Sequence, residues 1–182
     1  MGLLTSRRLE EYSADTILFG GKAGYDAGVG RSESVVSTTI LIASAHPIIR
    51  NSLRLLVERD VNFHVVAEAA NGREAVVLAD YKRPNIILLD MKMPQLNGIA
   101  AAREISAKRQ TAGIIFVTAE TDELYVSEAF KAGAAGYVSA DTVQTDLCKA
   151  INAVKGGHSF VSPSIGNSKQ GGDPQRRILR GQ

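Results

Sequence analysis

Short apolar runs and longer amphipathic stretches alternate through the middle of the chain. The runs Thr39–Ala43, Phe63–Ala67, Ile86–Asp90, Ile114–Thr118 and Gly136–Val138 are rich in β-branched residues and almost continuously apolar. That is the pattern of strands buried on both faces of a parallel sheet. Helical signals lie between them. Pro47 suits a first helical position, and Ile49, Leu53 and Leu56 follow at a spacing that predicts a core-facing stripe. Asn71 with Glu74 predicts a capping pair opening the second helix, and Asp141 with Gln144 predicts the same for the last. Val143, Leu147, Ile151 and Val154 line up as one apolar stripe of that last helix, which Gly156 and Gly157 bring to an end.

Five strands, each followed by a helix, specify an α/β domain, and right-handed crossovers leave few topologies open. The expected architecture is a flavodoxin-like doubly wound five-stranded parallel sheet of order 2-1-3-4-5 with helices on both faces. In such a sheet the strand order reverses between strands one and three, and ligands bind at their carboxyl ends. Here that rule points to Ser44, Ala45 and Asp90.

Outside this region the periodicity stops. Residues 1–37 mix small, polar and glycine-rich pieces and are expected to form a disordered extension, with a short helix around Leu3 to Tyr12. The globular domain is expected over 38–165, followed by a basic flexible tail over 166–182. Met1 to Ser6 fits a myristoylation pattern that needs a eukaryotic host, and is read as an ordinary start.

Composition adds mainly exclusions. A chain of 182 residues holds one core, and its 45% apolar and 22% charged residues are those of an average globular protein. A formal charge of +2 with no basic face in the central region argues against direct DNA binding. The single cysteine, Cys148, rules out an internal disulfide and is read as packing; with no secretory or membrane-spanning segment, it suits the cytoplasm. His46, His64 and His158 are dispersed and read as structural, so no metal site is expected. Gly20–Gly24 lacks the spacing of a phosphate loop, and no nucleophile–base pair marks an enzyme.

The run Ile86 to Gly98 drives a buried strand out to Asp90 and then turns through Pro94. Together with Ile40–Arg50, Ile115–Ala119 and Lys131–Tyr137, in that order and spacing, it resembles the receiver domains of bacterial response regulators. The resemblance covers Thr38 to Pro163. His46–Pro47 and the closing stretch Gly156–Pro163 are most similar to the subfamily that usually carries a C-terminal helix-turn-helix. The residues after Pro163 are too few and too glycine-rich to build one, so no output domain is expected in this chain.

The resemblance implies that Asp90 occupies the phosphoacceptor position, Thr118 the hydroxyl position that bonds the phosphate, and Tyr137 the aromatic position whose rotation reports phosphorylation. Three other positions depart from the family. Ser44 and Ala45 stand where two acidic residues hold Mg²⁺, and Ala140 stands where a lysine pairs with the phosphate. Mg²⁺ takes carboxylate oxygens by preference, and phosphoryl transfer depends on cations around the equatorial oxygens. Mg²⁺ binding is therefore expected to be weak or absent, with no other cofactor. Lys92 is a candidate substitute partner for Asp90.

The expected function is that of a pseudo-receiver: a protein-interaction module of two-component signalling that works without phosphorylation and is not an enzyme. Its expected partners are a histidine kinase, a receiver or another regulator, or a second copy of itself, docking on the face of the fourth helix, fifth strand and fifth helix. Two alternatives stand beside it. One is a phosphorelay receiver using Asp90; the other is a truncated transcriptional regulator acting through a DNA-binding partner.

Overall fold

The computed structural model describes residues 37–108 and 111–166. The expectations for the N-terminal extension and the basic tail lie outside the described residues. Within them the chain alternates as expected: β1 (Thr38–Ala43), α1 (Pro47–Val57), β2 (Phe63–Ala69), α2 (Gly72–Lys82), β3 (Ile86–Leu89), α3 (Gly98–Ala107), β4 (Gly113–Thr118), α4 (Glu123–Lys131), β5 (Ala134–Ser139) and α5 (Val143–Lys155). A 3-10 turn (Ala140–Thr142) joins β5 to α5, and a short strand β6 (Phe160–Val161) and helix α6 (Pro163–Gly166) follow.

All strand pairings are parallel, in the order β2-β1-β3-β4-β5-β6. This is the doubly wound, flavodoxin-like sheet, extended by one edge strand. β6 pairs through Gly136 with Phe160 and Tyr137 with Val161. A two-residue strand carries no readable alternation, which is why the apolar pattern shows only five.

Two cores sandwich the sheet. Leu53 and Val57 of α1 and Leu147, Ile151 and Val154 of α5 pack with Ile40, Ile42 and Leu88 on one face. On the other, Ala75 and Ala79 of α2, Ala101 and Ile105 of α3 and Val126 of α4 pack with Leu41, Ile87 and Phe116. β3 lies between β1 and β4 with all four residues buried, as its unbroken apolar run requires.

The capping signals fare unequally. Asn71 Oδ1 accepts from the Glu74 amide at 2.8 Å, and the Glu74 carboxylate reaches back to the Ala70 amide at 2.8 Å. That reciprocal pair opens α2 as expected. Asp141 with Gln144 does not open α5. Asp141 lies inside the 3-10 turn, where the Ser139 hydroxyl accepts from its amide at 3.4 Å, and α5 starts after Thr142 without a side-chain cap. Pro47 does begin α1, but Ile49 is 41% exposed and only Leu53 and Val57 of this helix are buried. Leu56 is partly buried against the same core, so the expected stripe holds at Leu53 and Leu56, fails at Ile49 and is completed by Val57.

Candidate functional site

β1 and β3 run side by side and end together, so Ser44 and Asp90, the residues that follow them, meet at the carboxyl edge of the sheet. The Asp90 amide donates to the Ala43 carbonyl at 2.9 Å, which holds the carboxylate beside the end of β1. Ser44 is fully buried, and its hydroxyl donates to Asp90 Oδ2 at 2.8 Å. Ser44 Oγ in turn accepts from the His46 amide at 3.3 Å, and Arg50 Nη1 donates to the Ser44 carbonyl at 2.7 Å. Asp90 itself is half-buried.

The loop after Asp90 is shaped to pass close to it. Gln95 turns it with φ of 64°, and the first residue of α3, Gly98, lies where a Cβ would stand 2.2 Å from the Asp90 carbonyl oxygen. Only glycine fits that approach without moving the Asp90 backbone.

Lys92 does not pair with Asp90 through its side chain. Its ammonium forms an ion pair with Glu120, and only its backbone amide reaches the carboxylate, donating to Oδ1 at 3.3 Å. The main chain of Glu120 is held in place from two sides. Thr118 Oγ1 accepts from the Glu120 amide at 3.2 Å, and the Tyr137 hydroxyl donates to the Glu120 carbonyl at 2.8 Å. Tyr137 is fully buried and stacked on Phe116, with ring centroids 6.1 Å apart. Burial, and then the nearby Glu120 carboxylate, push its phenol well above the ordinary value, so it stays a neutral donor.

The family model described as a response regulator receiver domain matches residues 40–152. The chain belongs to the response-regulator receiver family. Among curated relatives, the receiver region is 36% identical over 126 residues to the transcriptional regulatory protein YdfI of Bacillus subtilis, covering 69% of this chain and 59% of that one. It is 32% identical over 127 residues to the nitrate/nitrite response regulator protein NarL of Escherichia coli K12, covering 70% and 59%. The chain thus spans a little under three fifths of the length of these relatives.

Solved structures agree. A two-component response regulator of the LuxR family from Aurantimonas sp. SI85-9A1 is similar with a TM-score of 0.69 at 35% identity, over 71% of this chain and 93% of that one. A DNA-binding response regulator of the LuxR family from Staphylococcus aureus gives 0.62 at 27% identity, over 65% and 98%. The chain is thus a receiver of two-component signalling. No helix among the described residues is long and apolar enough to cross a membrane.

In this receiver the fold brings Ser44 and Asp90 into contact, and links Lys92, Thr118 and Tyr137 through Glu120. Ala45 is partly exposed and Ala140 exposed, at the ends of β1 and β5. Neither offers a charged or hydrogen-bonding side chain. Arg50, Glu68 and Glu120 take part although the sequence did not single them out. Arg50 also pairs with Glu68 of β2 at 3.3 Å, and Arg54 pairs with the same carboxylate at 2.7 Å. An arginine one turn inside α1, on the helix that follows β1, was the readable hint; Glu120 carried none.

Proposed function

We propose that this receiver is a pseudo-receiver: a protein-interaction module of two-component signalling that works without accepting a phosphoryl group. The observation that carries the reading is the Ser44–Asp90 hydrogen bond, made where the family resemblance places a metal-binding carboxylate. The Ser44 hydroxyl donates its hydrogen bond to Asp90 and Ala45 has no oxygen in its side chain, so neither supplies the carboxylate that a metal takes by preference. Among the described residues no group of three His, Cys, Asp or Glu is placed to hold a metal. This donor set does not fit Mg²⁺, which demands near-octahedral oxygen coordination. With Ala140 in place of the lysine, the equatorial oxygens of a phosphoryl group would also lack their cation. Each such stabiliser commonly contributes about 3 kcal/mol to the transition state.

The partner on this reading is a protein of the same signalling class, a histidine kinase, a receiver or another regulator, or a second copy of the chain. The face of α4, β5 and α5 is the docking face, with Tyr137 buried beneath it, and the setting is the cytoplasm. Residues 37–166 bind no DNA directly and catalyse no reaction of their own. Two specific observations favour alternatives. The phosphoacceptor reading draws on Asp90, Thr118 and Tyr137, which all keep their family positions. A role in transcription draws on relatives named as transcriptional regulators, and would pass through a DNA-binding partner.

The deciding experiment incubates the full chain with Mg²⁺ and acetyl phosphate and reads its intact mass. The wild type gains no phosphoryl adduct, whereas the triple variant Ser44→Asp, Ala45→Asp, Ala140→Lys gains one at Asp90. A Mg²⁺-dependent adduct on the wild type that disappears in Asp90→Asn overturns the pseudo-receiver and leaves the phosphoacceptor.

A further inference from the structure

Thr118 and Tyr137 each make a side-chain hydrogen bond with Glu120. One accepts from its amide and the other donates to its carbonyl, so the main chain at Glu120 is fixed on both sides. The carboxylate it projects is ion-paired with Lys92, whose own amide donates to Asp90. One residue after β3 and one after β4 thus complete a continuous path from the Asp90 carboxylate to the buried ring of Tyr137.

We propose that the Lys92–Glu120 ion pair is the positioning element that couples the Asp90 pocket to Tyr137, in a chain whose Ala140 offers no cation for the task. The proposal deepens the reading above and takes Asp90, at the phosphoacceptor position that the family resemblance implies, as the input end. It holds whether or not Asp90 accepts a phosphoryl group.

Exposed ion pairs usually contribute little, because two long side chains must be ordered and salt screens the attraction. This pair differs in one respect: the Glu120 backbone is already held by two hydrogen bonds, so most of the ordering falls on Lys92 alone. The pair is also asymmetric. The Lys92 side chain is 76% exposed and that of Glu120 25%. An anionic group arriving over Asp90 therefore meets the ammonium first and competes with Glu120 for it. Drawing Lys92 away removes the side-chain tether of Glu120 and leaves its main chain held by Thr118 and Tyr137 alone, so the Tyr137 hydroxyl can shift together with its acceptor. Tyr137 is otherwise enclosed by core, so this hydrogen bond is where its position can be biased.

The test follows the Tyr137 ring and amide resonances in the labelled full chain, with Val57 in the opposite core as the remote reference. Lys92→Met and Glu120→Gln each displace the Tyr137 resonances and leave those of Val57 in place. The charge reversal Lys92→Glu with Glu120→Lys returns them towards the wild-type positions. Raising the salt from about 0.01 M to about 1 M shortens the screening length from about 30 Å to about 3 Å. It therefore moves Tyr137 in the wild type but not in the single variants. Unmoved Tyr137 resonances in the single variants, or a reversal as displaced as either of them, overturn the proposal. Because no metal or phosphodonor is present, this outcome is independent of the mass measurement that decides the pseudo-receiver.

Discussion

Two carboxylates at the carboxyl edge of the same sheet have opposite surroundings. Asp90, half-buried after β3, receives one hydroxyl and one long amide contact. Asp146, on the first turns of α5, is 6% exposed and receives three hydroxyls: Thr142 at 2.7 Å, Ser162 at 2.8 Å and Thr145 at 3.2 Å. The Ser162 hydroxyl in turn accepts from the Ser139 amide at 3.1 Å, so Asp146 ties β5, the 3-10 turn, α5 and the residue after β6 together. A buried charge persists only when it is well hydrogen-bonded, and Asp146 is satisfied from within the fold. Asp90 keeps oxygen capacity and an open side, which is what a recognition site needs. Identical side chains are thus structural in one place and available in the other, and the difference lies in the neighbours' hydroxyls.

That contrast is broken most directly by the same substitution at both positions. Asp146→Asn loses charge-assisted bonds to buried hydroxyls and is expected to cost about 1–3 kcal/mol in urea unfolding. Hydrogen exchange should quicken first at β6. Acid sharpens the assignment. Burial pushes the Asp146 carboxyl up, but the hydroxyls of Thr142, Ser162 and Thr145, with Lys149 nearby, outweigh it and hold the folded value below the ordinary 3.8. A lowered folded value means that its stabilisation is complete above 3.8 and is lost as the pH falls through the lower value. The stability gap between wild type and Asp146→Asn, measured from neutral pH downwards, should therefore close only in that acid window. Ser44→Ala comes next. It removes the donor to Asp90 and the acceptor of the His46 amide from a fully buried position, and is expected to cost about 0.5–1.5 kcal/mol. The smallest effect belongs to Asp90→Asn, expected within about 0.5 kcal/mol of wild type, because an amide oxygen still accepts from Ser44. Equal losses for Asp90→Asn and Asp146→Asn would erase the distinction.

The parts of the molecule that the sequence made legible are those where one residue type leaves one option. The unbroken run of β3 has no polar face to expose, so its central place in a parallel sheet was readable, and the switch-point rule then located Ser44 and Asp90. Asn71 and Glu74 were readable because both bonds of the cap are local. The rest depends on groups brought together from a distance. Asp141 does not cap α5 because it lies in a 3-10 turn capped by Ser139, and α5 itself begins after Thr142 without a side-chain cap. The Asp146 cluster needs Ser162, which follows a turn and a strand too short to recognise. The Lys92 ammonium pairs with Glu120, a residue of a different loop that follows β4, and no local pattern marks that partner.

The central claim, that the pocket around Asp90 no longer works through metal and phosphate, is tested most directly by amide NMR of the full chain. The titration uses Mg²⁺ first and then Mg²⁺ with beryllofluoride, watching Asp90, Thr118 and Tyr137. The account predicts no saturable shift at any of the three up to millimolar Mg²⁺, and none on adding beryllofluoride. Saturable shifts that spread from Asp90 to Tyr137 would contradict it and establish a working phosphate switch.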